Sequence, residues 1–201
     1  VTVPLGLSST SLPSATAAAP SPAPALKGAF LPQENGAYVC DKPTDITVAS
    51  SSMGYTDSGV VSTITDLGRY VQADAVQPLR LAKKPNRFGS PLPIAEGAPS
   101  WYRATGGANL VGSMIGQHGW TPGYLTAAYS DPGTGFTVAV ALNNSSAGGA
   151  MIGDLAFELA AIGSKTPAAK GQKAPQFALP FTVEDYAAAV DRDAICPLPA
   201  G

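Results

Sequence analysis

The sequence predicts an α+β fold in which an antiparallel sheet is flanked by helices. Three observations carry this expectation. Residues 124–130 and 136–142 alternate or run apolar on either side of Asp131-Pro132-Gly133-Thr134-Gly135, a turn-rich junction that reads as a hairpin. Ile64, Leu67, Tyr70 and Val71 recur at helical spacing. Ile152, Leu155, Leu159 and Ile162 do the same after the hairpin, so a second helix covers the strands.

Taken in order, residues 11–28 are rich in Pro, Ala and Ser and favour extended conformations. Residues 29–53 read as loop, with a short strand near 37–39. Thr63-x-x-Asp66 is a near capping box: the hydroxyl accepts from the N–H three residues on, and the acid suits the positive helix end. The first helix therefore spans residues 64–76 and stops before Pro78. Residues 83–100 carry Pro85, Gly89, Pro91, Pro93, Gly97 and Pro99 and form a loop. Strands follow at 101–105 and 110–115, joined through Gly106-Gly107. The covering helix spans 147–161, with Gly163 placed to end it. Beyond a linker at 167–175, a short helix is expected around 183–190. Asp57, Asp66 and Asp131 are accounted for as turn or cap residues.

Composition narrows the function. Hydrophobic residues make up 45%, enough for a core, and only 13% are charged, against roughly 25% in ordinary soluble proteins. The net charge of −2 gives no argument for nucleic acid or an anionic membrane, which both want clustered Lys and Arg. Arg80, Lys83, Lys84 and Arg87 form one small basic cluster, read as a solvated loop. No apolar run approaches the roughly 20 residues of a membrane span. Neither a metal nor a nucleotide cofactor has a motif here.

Three segments carry chemistry. The first is Pro4-Leu5-Gly6-Leu7-Ser8-Ser9-Thr10. The second runs Gly54-Tyr55-Thr56-Asp57-Ser58-Gly59-Val60-Val61-Ser62-Thr63-Ile64-Thr65-Asp66-Leu67. The third, Gly116-Gln117-His118-Gly119-Trp120-Thr121-Pro122-Gly123-Tyr124, holds the only histidine of the chain. In order and approximate spacing they resemble the serine β-lactamase and penicillin-binding-protein family, in its branch of class C β-lactamases, D-alanyl-D-alanine carboxypeptidases and esterases. The family's matching segments read Pro-Leu-Gly-Leu-x-x-Thr, Ala-Gly-Gly-hydrophobic-x-Ser-Thr-x-x-Asp-Leu, and Lys-Thr-Gly or His-x-Gly ending in Pro-Gly-Tyr. The resemblance implies a β-lactamase/DD-peptidase-like fold and acyl transfer through a serine.

The nucleophile motif of that family, Ser-x-x-Lys, sets a lysine amine one helical turn from the hydroxyl it activates. No lysine of this chain has serine three places before it, and no tyrosine has asparagine two places after it, so the Tyr-x-Asn motif is missing too. Both lie upstream of Pro-Leu-Gly-Leu in the family. Residues 1–163 are therefore expected to be the C-terminal part of a serine hydrolase domain, its nucleophile and base supplied by a missing or separate N-terminal part. Residues 164–201 are expected to form a C-terminal extension. The implied substrate is a β-lactam, a D-Ala-D-Ala peptide or a small ester. The other reading is a non-catalytic envelope or peptidoglycan-binding module on the same fold. A truncated product without function of its own is a third, and it would leave an apolar sheet face exposed.

Alignment on the Gly-Tyr end puts Gln117, His118 and Gly119 on the three positions of the third motif, with Trp120 following. The resemblance makes the Trp120 N–H an oxyanion donor and Gly119 the residue that lets a carbonyl approach the strand. Gln117 stands where the family has Lys or His. A strand alternates its side chains, so Gln117 and His118 face opposite ways. If Gln117 faces the cleft, the corner lacks a titratable group and binds carboxylates weakly, which favours an ester. If a bulge turns His118 inward, it serves as relay near its ordinary pKa of about 6.5.

Cys40 and Cys196 fit no metal spacing. In an exported protein, which the Ala-, Pro- and Ser-rich composition suits, they would pair and tie the tail to the body; otherwise they are two free thiols.

Overall fold

A computed structural model describes residues 1–14, 26–48, 58–167, 170–171 and 178–196. Gly54 to Asp57 of the second motif segment, 15–25 of the Pro- and Ala-rich stretch, and 168–169 and 172–175 of the linker lie outside the described residues.

The chain opens with a single helical turn, α1 (Thr2–Leu5), closed by Gly6 in the left-handed region. Two small ladders follow where loop was expected. β1 (Ala29–Phe30) pairs with β4 (Thr44–Asp45), and β2 (Gln33–Glu34) pairs with β3 (Ala37–Tyr38). Only β3 coincides with the strand anticipated near 37–39.

Helix α2 (Ile64–Val76) has the expected bounds. Thr63 Oγ1 accepts from Asp66 N at 3.2 Å, which fixes the first turn. Gln77, with φ 51°, ends it and returns its N–H to Ala73 O. The capping box is one-armed, however. Instead of reaching back to Thr63, the buried Asp66 carboxylate accepts from Ser9 N at 2.8 Å and Thr10 Oγ1 at 2.9 Å. The first and second motif segments thus meet at Asp66, and an antiparallel bridge between Ser11 and Val61 continues the junction.

The main sheet has six antiparallel strands in the order β10-β9-β8-β7-β6-β5. They are β5 (Leu92–Pro93), β6 (Tyr102–Thr105), β7 (Ala108–Val111), β8 (Met114–Thr121), β9 (Tyr124–Ser130) and β10 (Thr137–Leu142). The expected strand at 110–115 does not exist as one piece. Gly112 turns the chain with φ 61°, a conformation costly for any residue with a Cβ, so 110–111 end β7 and 114–115 begin β8. The small β5 ladder interrupts the loop expected at 83–100. The basic cluster within that loop is solvent-exposed, with Arg87 paired to Asp74 and Arg80 bonded to the Lys84 carbonyl.

Helix α3 (Gly148–Ser164) runs one residue past Gly163, which does not terminate it. Helix α4 (Val183–Asp193) starts from a full capping box between Thr182 and Asp185. One face of the sheet meets α3, and there the principal core forms from Val111, Met114, Leu125, Ala127, Tyr129, Ile152, Ala156, Phe157 and Ala160. The tail joins it through buried Phe181, whose ring lies 5.8 Å from Phe157 and 5.0 Å from Tyr186. A disulfide between Cys40 and Cys196, with Cα atoms 5.7 Å apart, ties that tail to the β3 region. The opposite sheet face carries Ala128, Ser130 and Thr137. Helix α2 packs there against β8, β9 and β10, and Gln72 Nε2 donates to Gly135 O at 3.1 Å.

Candidate functional site

The third motif lies along β8. Its end, Thr121-Pro122-Gly123-Tyr124, is the tight turn into β9. Pro122 presets the first turn position and Gly123 takes φ 91°, as a type II turn requires. The Gly28 backbone lies 2.9 Å from where a Gly123 Cβ would stand, so close approach excludes a side chain there as well. Gly123 N donates to Ser145 Oγ at 2.9 Å, and Tyr124 Oη donates to Leu26 O at 2.6 Å. The turn is thus clamped between two loops.

The β8–β9 register is unbroken from Ile115↔Ser130 to Thr121↔Tyr124. The bulge that would turn His118 toward Gln117 is therefore absent, and the two side chains take opposite faces. His118 points toward α3. A Cβ on Gly153 would meet its imidazole at 2.9 to 3.0 Å, and the ring stands edge-on to Phe157 at 6.2 Å. Its Nδ1 is 2.6 Å from Tyr129 Oη. Burial holds the imidazole below its ordinary pKa and pushes the Tyr129 phenol above its own.

Gln117 is exposed; it leaves the strand on the other face and brings its carboxamide to the edge of β8. Its Oε1 accepts from Asn109 Nδ2 and from the backbone N–H of His118, each at 3.0 Å. Asn109 is buried, and its Nδ2 also lies 3.4 Å from Tyr129 Oη. Sequence reasoning passed over both Asn109 and Tyr129. The available signal was a polar residue inside the apolar run from Ala108 to Val111, and a tyrosine in step with Leu125 and Ala127.

The β7–β8 ladder ends at Asn109↔Gly116. Beyond it, no strand of the described residues pairs with that edge of β8. His118 N points to this edge, since it donates to Gln117 Oε1 rather than to β9. Strand alternation puts the N–H of Trp120 on the same side. Nothing lies within 4 Å of where a Gly119 Cβ would be. Trp120 is 61% exposed, with its indole edge against Gly149 at the start of α3. The arrangement is a free strand edge with an outward N–H, open space at a glycine, an aromatic wall and an uncharged amide. It suits a carbonyl oxygen laid along the strand. Among the described residues no group of His, Cys, Asp and Glu is arranged to hold a metal, and no helix is long and apolar enough to cross a membrane.

Comparison with known proteins bears on the fold and the family. A solved D-stereospecific amidohydrolase from Streptomyces sp. superposes with a TM-score of 0.60 at 19% identity, covering 72% of this chain and 42% of that one. The chain therefore spans less than half the length of that protein, and the likeness is one of fold. No curated protein matches the sequence significantly. The Beta-lactamase family model matches residues 1–161. On that match, and with a serine-hydrolase-like fold around it, this chain belongs to the beta-lactamase family.

Proposed function

We propose that the chain is the C-terminal portion of a serine hydrolase that works through an acyl-enzyme, with nucleophile and base carried by an N-terminal part or a separate polypeptide. The observation that carries this reading is the unpaired edge of β8 beyond Gly116. A serine oxygen placed opposite it would attack a carbonyl lying beside Gly119, and the Trp120 N–H would receive the developing oxyanion. Collapse of the resulting intermediate would break the ester or amide bond and expel the alcohol or amine, and water would then release the acyl group as the acid.

Gln117 supports the choice among substrates. A neutral amide gives a carboxylate no counter-charge, where lysine or protonated histidine would. Small esters and uncharged amides are favoured over substrates held by a free carboxylate, such as D-Ala-D-Ala peptides. The fold neighbour is a D-stereospecific amidohydrolase, which makes amides of D-residues a class to assay beside esters and β-lactams.

Exposed apolar side chains support a covering partner. Val3, Val60, Ile64, Val76, Leu79 and Leu81 are each at least half exposed, and Val1, Tyr70 and Leu79 line one groove between α1 and α2. The N-terminal part is assigned to this side. The disulfide suits an exported protein, and residues 164–201 are assigned as an extension held to the hydrolase domain by it.

The binding-module reading draws on the same Gln117, since a corner without a titratable group needs no catalysis to explain it. Labelling of the native protein with a fluorophosphonate or penicillin probe, read by intact mass, separates the two. Label on a co-purifying polypeptide or an upstream segment is the expected result. Acyl turnover by residues 1–201 alone is expected to be nil, and robust turnover there overturns the placement of the nucleophile. No label anywhere leaves the binding module or a fragment without function of its own.

A further inference from the structure

We infer that Asn109 is a positioning residue: it holds the Gln117 carboxamide with its NH2 turned outward along the open edge of β8, and the buried His118–Tyr129 pair holds Asn109. The inference rests on Gln117 forming part of the substrate site.

The orientation follows from counting donors and acceptors. A carboxamide oxygen has two lone pairs. Both are used in Gln117, one by Asn109 Nδ2 and one by His118 N, each at 3.0 Å. Turning the amide over would lose both bonds and set N–H against N–H. The NH2 is what remains. One hydrogen makes a long 3.4 Å contact with Gly107 O, and the other has no partner among the described residues. The free end of the Gln117 carboxamide is therefore a donor, and it carries no charge.

The anchor is read the same way. Asn109 Nδ2 approaches Tyr129 Oη at 3.4 Å, so the phenol accepts there and has one proton to give. It gives it to His118 Nδ1 at 2.6 Å, which makes His118 a neutral imidazole with its hydrogen on Nε2. Burial favours that neutral form. His118 then acts from the far face of the strand, through Tyr129 and Asn109, instead of touching substrate. The single-residue offset between Gln117 and His118 in the motif becomes a division of labour: one side chain faces out and the other faces in.

The test reads the network without substrate first. In protein labelled with 15N-histidine, near pH 8, His118 should show a protonated Nε2 and a bare Nδ1; the opposite tautomer overturns the inference. Asn109→Asp removes the donor while keeping the shape. It should shift the Gln117 side-chain NH2 resonances and, in the native protein joined to its nucleophile-bearing part, lower kcat/KM for a neutral ester by about tenfold, the worth of one well-placed hydrogen bond. Unmoved NH2 resonances in the folded variant overturn it. Should Asn109→Asp fail to fold, Gln117→Glu serves, because it keeps both accepted bonds at an exposed position. It should leave the tautomer unchanged and depress ester kcat/KM, and full ester activity overturns the outward-donor role. The tautomer and amide spectra are read in the resting protein. Native protein that carries the nucleophile-bearing part, gives these spectra and hydrolyses no ester counts against the hydrolase reading alone.

Discussion

Tyr129 Oη lies 2.6 Å from His118 Nδ1 on the α3 side of the sheet, while the neighbouring Gln117 leaves the strand on the other face and brings its carboxamide to the edge of β8. Removing the phenol oxygen leaves His118 Nδ1 without its partner and Asn109 Nδ2 with one acceptor fewer. Tyr129→Phe is expected to cost about 1–3 kcal/mol, the penalty for buried polar groups left unsatisfied. Urea unfolding checks it: the midpoint should fall while the slope stays the same.

The same pair sets a pH dependence. Burial holds the His118 pKa below its unfolded value, so the unfolded chain takes up the proton first as pH falls. The contribution is complete above about pH 6.5 and is lost as pH drops through the folded pKa. Between pH 8 and pH 5 the wild-type midpoint should therefore fall more steeply than that of His118→Gln. Parallel curves would show that His118 is not buried as described.

Gly153 gives the imidazole its space. Gly153→Ala places a methyl group 2.9 to 3.0 Å from three imidazole atoms, so the ring or the helix must move. The helix propensity gained from alanine, up to about 1 kcal/mol, is outweighed by overpacking of about 1–3 kcal/mol. The variant should unfold at lower temperature, and the His118 imidazole resonances should shift. A rise in thermal midpoint would mean the ring yields freely.

Asp66 joins two motif segments through Ser9 N and Thr10 Oγ1. Asp66→Ala orphans the Ser9 N–H and leaves the Thr10 hydroxyl with Ser62 Oγ as its remaining partner, and about 2 kcal/mol of stability should go with the lost bonds. Thr63→Ala should cost about 1 kcal/mol, as loss of a helix cap does. Hydrogen exchange should show opening around residues 4–11 in the first variant and only in the first turn of α2 in the second.

The Cys40–Cys196 bridge closes a sequence separation of 156 residues. Chain-entropy arguments put the stabilisation from so long a loop at about 5 kcal/mol at most. Cys40→Ser with Cys196→Ser should lower the unfolding midpoint and free the tail from residue 178 onward to proteolysis. A tail that stays protected would show that Phe181 and Tyr186 hold it without the bridge.

Much of this protein was fixed by local chemistry. The hairpin around residues 131–135, the bounds of α2 and the two faces of β8 follow from turn residues, a Thr63 cap and strict strand alternation, all properties of neighbours in sequence. The ordered motif segments identified the family for a related reason: their residues are those that turns, caps and a substrate edge require. Other features depended on distant partners. The break at Gly112 was hidden inside an apolar run, and Gly163 stayed helical where the Phe136 ring packs against α3 in the space of its missing Cβ. The fate of Asp66 was decided by Ser9 and Thr10, more than fifty residues away. Above all, sequence placed Gln117 and His118 on opposite faces without saying what either would meet. Only the packing of α3 through Gly153 and Phe157, and the pairing of β7 and β9 on either side, brought His118, Tyr129, Asn109 and Gln117 into one hydrogen-bonded chain. Such a chain needs atoms from three strands within hydrogen-bond distance, a condition that the tertiary fold sets and no local pattern encodes.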